Sequence, residues 1–399
     1  MKPSFKPDRR AKASSPLWAK IAKAAVPAII FGLAWLSSEA HDDVWGGCKY
    51  LCLAAALAIY CAVRLRDRMR NISVLVTTLL LGLAVAEAYS VLTLARPLEL
   101  QAQGYSVSRP ILGWGPQHPG VFHNIKFAAR TRRVIFDAHY TIDANLNRKV
   151  ISAQSGPAVA FFGDSFTFGT GLDDRQTLPQ IFSDLHGRKI GVFNFGFPGY
   201  GPQQFLRAIE TDMFDPLLRG RVRLFVFEAT SYLAVRASCR AGFMMRAPRY
   251  EMVDGRPVYR GACYQQWTVL NQLFANTSLY HTFVEPAFGG PTRSDIDLLI
   301  GILVQAAKLA HDKYGAPTLI VYSRNSDTYL RHSGLTEEGV IQRMRQAGLD
   351  VIDTTLDPKD FPGTPLKIPG DGHPTGVTNA ARARLIDAYI QDWHLLALN

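Results

Sequence analysis

The strongest chemical signature in this 399-residue chain lies in two places: Ser165, within Gly163-Asp164-Ser165, and the pair Asp371 and His373, within Gly370-Asp371-Gly372-His373-Pro374. A serine hydroxyl is a weak nucleophile. It attacks a carbonyl only when a base takes its proton and a third group orients that base. An imidazole two residues after a carboxylate, in a Gly/Pro-rich loop, lets one loop carry both base and orienting group. The chemistry these residues would perform together is acyl transfer through an acyl-serine. The competing reading makes Ser165 a plain helix N-cap, and Asp164 reads as a turn residue bonding backbone N–H groups.

Such residues need elements that deliver them. Ala158–Phe162 is an apolar run stopping at Gly163, the pattern of a buried central strand that opens into a sharp turn. Thr177–Leu185 then reads as a short amphipathic helix. Further strands are expected at Gly191–Asn194, Arg223–Phe227, Thr318–Tyr322 and Leu349–Asp353. Helices are expected from Pro202 to about Met213, over Asp295–Lys313 behind a Ser294 cap, over Glu337–Gln346 behind Thr336, and from near Thr375 to about Trp393. This alternation predicts a parallel sheet with helices on both faces, its sites lying beyond the carboxyl ends of the strands. Tyr232–Thr292 breaks the alternation and reads as an insertion able to wall a substrate groove. Within it Tyr250–Tyr259 reads as a hairpin turning at Asp254-Gly255, flanked by Cys239 and Cys263. Export of this part would favour a disulfide between those cysteines; two buried thiols are the alternative.

Together these blocks resemble the SGNH/GDSL hydrolase family. Gly163-Asp164-Ser165-Phe166 matches its first block, and Asp371 with His373 its last. Val192–Gly201 (VFNFGFPGYG) matches the second, with Gly199 at the glycine whose N–H helps to hold the oxyanion. The likeness runs roughly from Pro157 to Trp393. It breaks at the third block, normally an Asn at the end of the next strand, where Arg223–Glu228 runs into Ala229-Thr230-Ser231-Tyr232. The resemblance implies an α/β, flavodoxin-like fold with an SGNH-type parallel sheet flanked by helices. It implies Ser165 as nucleophile, His373 as base, Asp371 as orienting carboxylate, and an oxyanion hole from the N–H groups of Ser165 and Gly199. Thr230 or Ser231 is the nearest stand-in for the absent Asn. The implied activity is ester hydrolysis on O-acyl groups without a cofactor; the alternative is O-acyl transfer to an envelope or exported polysaccharide. A reading of another class, a non-catalytic glycan-binding or assembly protein on the same fold, draws its support from the missing Asn.

The first hundred residues set the expected location. Apolar segments at Trp18–Ser38, Trp45–Val63 and Ile72–Leu94 each approach the ~20 residues that span a bilayer. Most of the formal charge of +11 sits beside them, in the N-terminus and in Arg64–Arg70, so a nucleic-acid partner is disfavoured. Basic flanks stay cytoplasmic, which places everything after Arg96 outside and the anchor in the inner (plasma) membrane. Glu87 is expected among the outer headgroups, with an inter-helix contact or functional site as the alternative. The expected organisation is a membrane anchor over 1–103, a β-rich bridge over 104–156 with one clear strand at Arg133–Asp143, and a hydrolase-like domain over 157–399. Expected partners are the bilayer, an ester-bearing substrate such as an acylated polysaccharide, and, for a transferase, an envelope protein. His118, His123 and His139 lack metal-ligand spacing, and no paired CxxC or HExxH occurs.

Overall fold

The computed structural model describes residues 46–94, 98–129, 131–266 and 277–396, with isolated positions 25, 28 and 32. The chain forms two units. One holds Met1–Leu94 with Leu273–Val284, and the other holds Ala95–Gln272 with Glu285–Asn399.

In the first unit, helices α1 (Gly46–Arg64) and α2 (Asp67–Leu94) are long and apolar enough to cross a membrane. Leu75, Leu79 and Val85 stand exposed on α2, as on a helix whose solvent is lipid, and the pair is compatible with a membrane anchor. The first expected span, Trp18–Ser38, lies outside the described residues apart from the isolated positions. Glu87 makes a contact inside this unit. Its side chain is fully buried (0% exposed) and accepts the N–H groups of Ser278 and Leu279, both at 2.6 Å. A carboxylate in an apolar setting needs donors, and here a segment from the distant insertion supplies them. A Cβ on Gly47 would lie 2.3 Å from Glu87 Oε1, so the close approach of α1 depends on that glycine.

The second unit opens with short antiparallel strands: β1 (Leu98–Gln101), β2 (Val107–Arg109), β3 (Gly113–Gly115), β4 (Gly120–Phe127) and β5 (Val134–Ile142). β4 lies between β1 and β5, while β2 pairs with β3. The expected bridge boundary at residue 104 therefore falls inside this extension, because β1 already pairs with β4. Its Tyr105, Phe122, Phe136 and Tyr140 belong to the same apolar cluster as Phe162 and Phe168 of the main sheet region.

That sheet holds β6 (Ala158–Phe162), β7 (Gly191–Asn194), β8 (Val222–Ala229), β11 (Thr318–Tyr322) and β12 (Asp350–Asp353), all parallel, in the order β7-β6-β8-β11-β12. The chain starts in β6, steps out to β7 and returns past β6 to β8. The order reverses between β6 and β8, and in open α/β sheets the ligand crevice opens there. Alternation along the strands explains why they read as unbroken apolar runs. Val159 and Phe161 pack on one face with Phe182 and Ile386, whereas Ala160 and Phe162 pack on the other with Phe205 and Leu299.

Among the covering helices are α3 (Ser165–Phe168), α4 (Leu178–Leu185), α5 (Pro202–Glu210), α6 (Arg293–Tyr314), α7 (Glu337–Gln346) and α8 (Gly376–Asp392). Thr177, Thr336 and Thr375 cap α4, α7 and α8. The cap of α6 is Thr292 rather than Ser294, because Thr292 Oγ1 and Asp295 exchange the reciprocal bonds of a capping box. Between β8 and α6 runs the insertion, with the hairpin β9 (Pro248–Val253) and β10 (Arg256–Ala262). Cys239 and Cys263 are joined in a disulfide with Cα atoms 5.4 Å apart.

Candidate active site

The turn after β6 carries Ser165 at the edge of the reversal in strand order. Gly163 is required by space: a Cβ there would lie 2.2 Å from Thr167 Oγ1 and 3.2 Å from Glu228 Cβ. Asp164 caps the single-turn helix α3, its Oδ1 accepting the Phe166 N–H at 2.9 Å. Gly169 closes that turn at φ 85°, left-handed geometry that favours glycine. Ser165 thus sits at the first position of a helical turn, its hydroxyl on a side chain fixed by strand, glycine and cap.

The last block folds as one loop ahead of α8. His373 Nδ1 hydrogen-bonds Asp371 Oδ2, and the His373 N–H donates to the same oxygen at 3.2 Å. The His373 ring meets Phe166, the neighbour of Ser165, edge to face with centroids 5.6 Å apart. The imidazole is therefore brought, from the opposite end of the domain, against the residue that follows Ser165. Among the described residues neither the Ser165 hydroxyl nor His373 Nε2 makes a hydrogen bond. The second oxygen of Asp371, Oδ1, accepts from Lys126 Nζ on β4. Burial pushes a carboxyl up, but the bonds and charges of His373 and Lys126 outweigh it and hold Asp371 at about 2. Asp371 is thus an anion able to fix the imidazole tautomer and stabilise its cation.

Gly199 adopts φ 84° in the loop after β7. Among the described residues its N–H and that of Ser165 have no hydrogen-bonding partner, as an oxyanion hole requires. Arg236 ties the two backbone turns together: Nη1 donates to Asp164 Oδ2 at 2.8 Å and to Tyr200 O at 2.7 Å. Tyr232 Oη donates to the same Asp164 oxygen at 2.7 Å. Burial, reinforced by the Asp164 charge, pushes that phenol well above its ordinary range, so it stays a donor.

The two hydroxyls after β8 separate. Ser231 is fully buried and donates its proton to Glu337 Oε1 at 2.6 Å, so its hydroxyl does not serve as an oxyanion donor. The Thr230 hydroxyl, on a residue only 4% exposed, makes no hydrogen bond among the described residues. Sequence reasoning also missed the buried support beneath the serine turn. Thr167 Oγ1 donates to Glu228 Oε2 at 2.8 Å, and Glu228 pairs with Arg382, whose Nε donates to Thr354 Oγ1 at 3.1 Å. A lone carboxylate in the apolar run RLFVFE was its one visible sign. Among the described residues no group of three or more His, Cys, Asp or Glu is placed to hold a metal ion. His123 instead bonds Asp137 at 2.6 Å and stacks on His139.

No protein-family model matches the sequence, and no curated protein matches it. Solved structures to which it is similar include GDSL/SGNH hydrolases and an acyltransferase. A member of the lipolytic protein G-D-S-L family from Veillonella parvula aligns at 13% identity and a TM-score of 0.35, over 59% of this chain and 99% of its own. The psychrotrophic esterase EstA from Pseudoalteromonas sp. aligns at 12% and 0.35, over 59% and 98%. The salicylyl-acyltransferase SsfX3 of a tetracycline biosynthetic pathway aligns at 13% and 0.33, over 79% of this chain and 87% of its own.

Proposed function

We propose that the chain is a membrane-anchored, extracytoplasmic serine esterase of the SGNH type that cleaves O-acyl groups. The observation that carries this is the Asp371–His373 pair, bonded through Nδ1 and set against the Ser165 turn. In the reaction Ser165 Oγ attacks the ester carbonyl while its proton passes to His373 Nε2. Asp371 stabilises the imidazolium, and the N–H groups of Ser165 and Gly199 bind the oxyanion, with the Thr230 hydroxyl as third donor. His373 then protonates the departing alcohol, leaving an acyl-serine. Water, deprotonated by His373, releases the acid and regenerates Ser165.

A second reading, O-acyl transfer to a polysaccharide hydroxyl, shares every step up to the acyl-serine. One observation favours a glycan as substrate or acceptor. Around the bare Cα of Gly199 the rings of Trp114 and Phe243 close in, 3.1 and 3.3 Å from where a Cβ would stand, and Phe243 is 58% exposed. Flat apolar faces beside an oxyanion donor suit the C–H face of a sugar ring. A transferase would need a partner protein to deliver its acyl group.

The test is labelling of the detergent-purified chain with a fluorophosphonate beside a Ser165→Ala control. Labelling confined to the unaltered protein supports an activated serine. A folded sample that does not label, with or without the substitution, overturns it in favour of a non-catalytic glycan-binding or assembly protein. Acetate release from an acetylated glycan, compared with transfer to added oligosaccharide, then separates the two enzymatic readings.

A further inference from the structure

We propose that Lys126, on the N-terminal β-extension, is a positioning residue of the active site that holds Asp371 so that His373 faces Ser165. The inference rests on the esterase reading. A triad Asp has two oxygens, and only one can serve the imidazole. In this protein the Asp371 side chain is fully buried (0% exposed), so an unpartnered Oδ1 would leave a charged acceptor without water or donor. Lys126 Nζ fills that role directly.

The extension is built to place it. Lys126 lies on the central strand β4, opposite Glu99 of β1 and Phe136 of β5, so its backbone is held on both sides. The β4–β5 register shifts between Lys126 and Phe127, a bulge of the kind that re-aims a side chain beside an active site. The ammonium lies 5.8 Å from the Phe136 ring centroid. The charged and titratable groups facing the site are Glu99, whose Oε2 is 3.7 Å from Lys126 Nζ, Tyr140 of β5, and His373 itself. Of the two carboxylates around Lys126, Asp371 is the nearer and the more buried. The lysine therefore fixes the plane and ionisation of Asp371, and through them the imidazole. It touches neither Ser165 nor the reacting ester.

The test uses the full chain in detergent with p-nitrophenyl acetate as substrate. Lys126→Met is expected to lower kcat on the order of 10-fold with KM within about twofold, because displacing a catalytic base weakens only the chemical step. Lys126→Arg, which keeps a charged donor, is expected to recover most of that loss. The low-field NMR signal of the His373 Nδ1 proton is expected in the unaltered protein and in Lys126→Arg, and lost or moved in Lys126→Met. A Lys126→Met protein with undiminished kcat and an unmoved proton signal overturns the proposal. If Lys126→Met does not fold, Glu99→Gln decides: kcat within twofold supports Asp371 as the partner that matters, and a 10-fold loss overturns it. Should the unaltered protein neither label nor hydrolyse, the esterase reading falls, and the Nδ1 proton signal alone judges Lys126.

Discussion

Replacing Arg236 by leucine isolates one contact that locks the serine turn to the loop carrying Gly199 and Tyr200. Leucine keeps apolar bulk between the Tyr232 and Phe243 rings, which the guanidinium faces at 4.8 and 5.6 Å. It removes the charge that Asp164 Oδ2 shares with Tyr232 Oη, and the link to Tyr200 O. Breaking a buried ion pair from one side costs ~3–5 kcal/mol. Asp164 keeps the Phe166 N–H and the Tyr232 hydroxyl, and Arg236 is itself 15% exposed, so a loss of about 2–3 kcal/mol is expected. For a domain of this size that corresponds to a melting temperature roughly 3–5 °C lower. The assay is thermal unfolding in detergent, run as a cycle with Asp164→Asn. Neutralising the carboxylate removes the stranded charge, so the double variant should be less destabilised than the sum of the singles by about 2 kcal/mol. Fluorophosphonate labelling should slow in Arg236→Leu in parallel. A melting temperature within about 1 °C of the unaltered protein, or strict additivity in the cycle, would refute this account of the turn.

Two further outcomes can be checked with the same sample. Thr230→Val is expected to lower kcat by ~10²-fold, the loss typical of one oxyanion donor, whereas Ser231→Ala should lower the melting temperature and leave kcat near its original value; the reverse pattern would exchange the two roles. Asp371 is held at about 2, below the ~3.9 of a free aspartate, so its contribution to stability is complete above about pH 4 and is lost as the pH falls towards 2. The stability difference between the unaltered protein and Asp371→Asn should therefore shrink between pH 5 and pH 2, and a gap that widens on acidification would contradict the pairing.

What could be read from the sequence follows from how each feature is written in it. β6, β7 and β11 keep the bounds expected from the sequence, because an apolar run forms the body of each strand. The serine turn was legible because glycine, aspartate and serine each have a local steric or hydrogen-bonding reason to stand there. Lys126 and Arg236 were not legible. Their partners lie 245 and 72 residues away, and a lone surface-type cation gives no periodic signal of the carboxylate it will meet. Ser231 and Thr230 looked equivalent, and only the fold revealed that Glu337, 106 residues on, claims the first hydroxyl. The extension read as one strand because β1, β2 and β3 are three or four residues long, too short for alternation to show, and because His123, Asn124 and Lys126 interrupt the apolar pattern of the longer β4.

Glu87 also imposes an order in time. Its partners Ser278 and Leu279 follow it by 191 and 192 residues. At ~5–20 residues per second of synthesis, the helix exists for on the order of ten seconds or more before the segment that satisfies its carboxylate has been made. If that helix lies in lipid, a carboxylate still without its donors carries an insertion cost of ~2.5–3.5 kcal/mol until that segment arrives. Maturation of this unit is then a late event, completed by a stretch of chain that arrives long after the helices themselves.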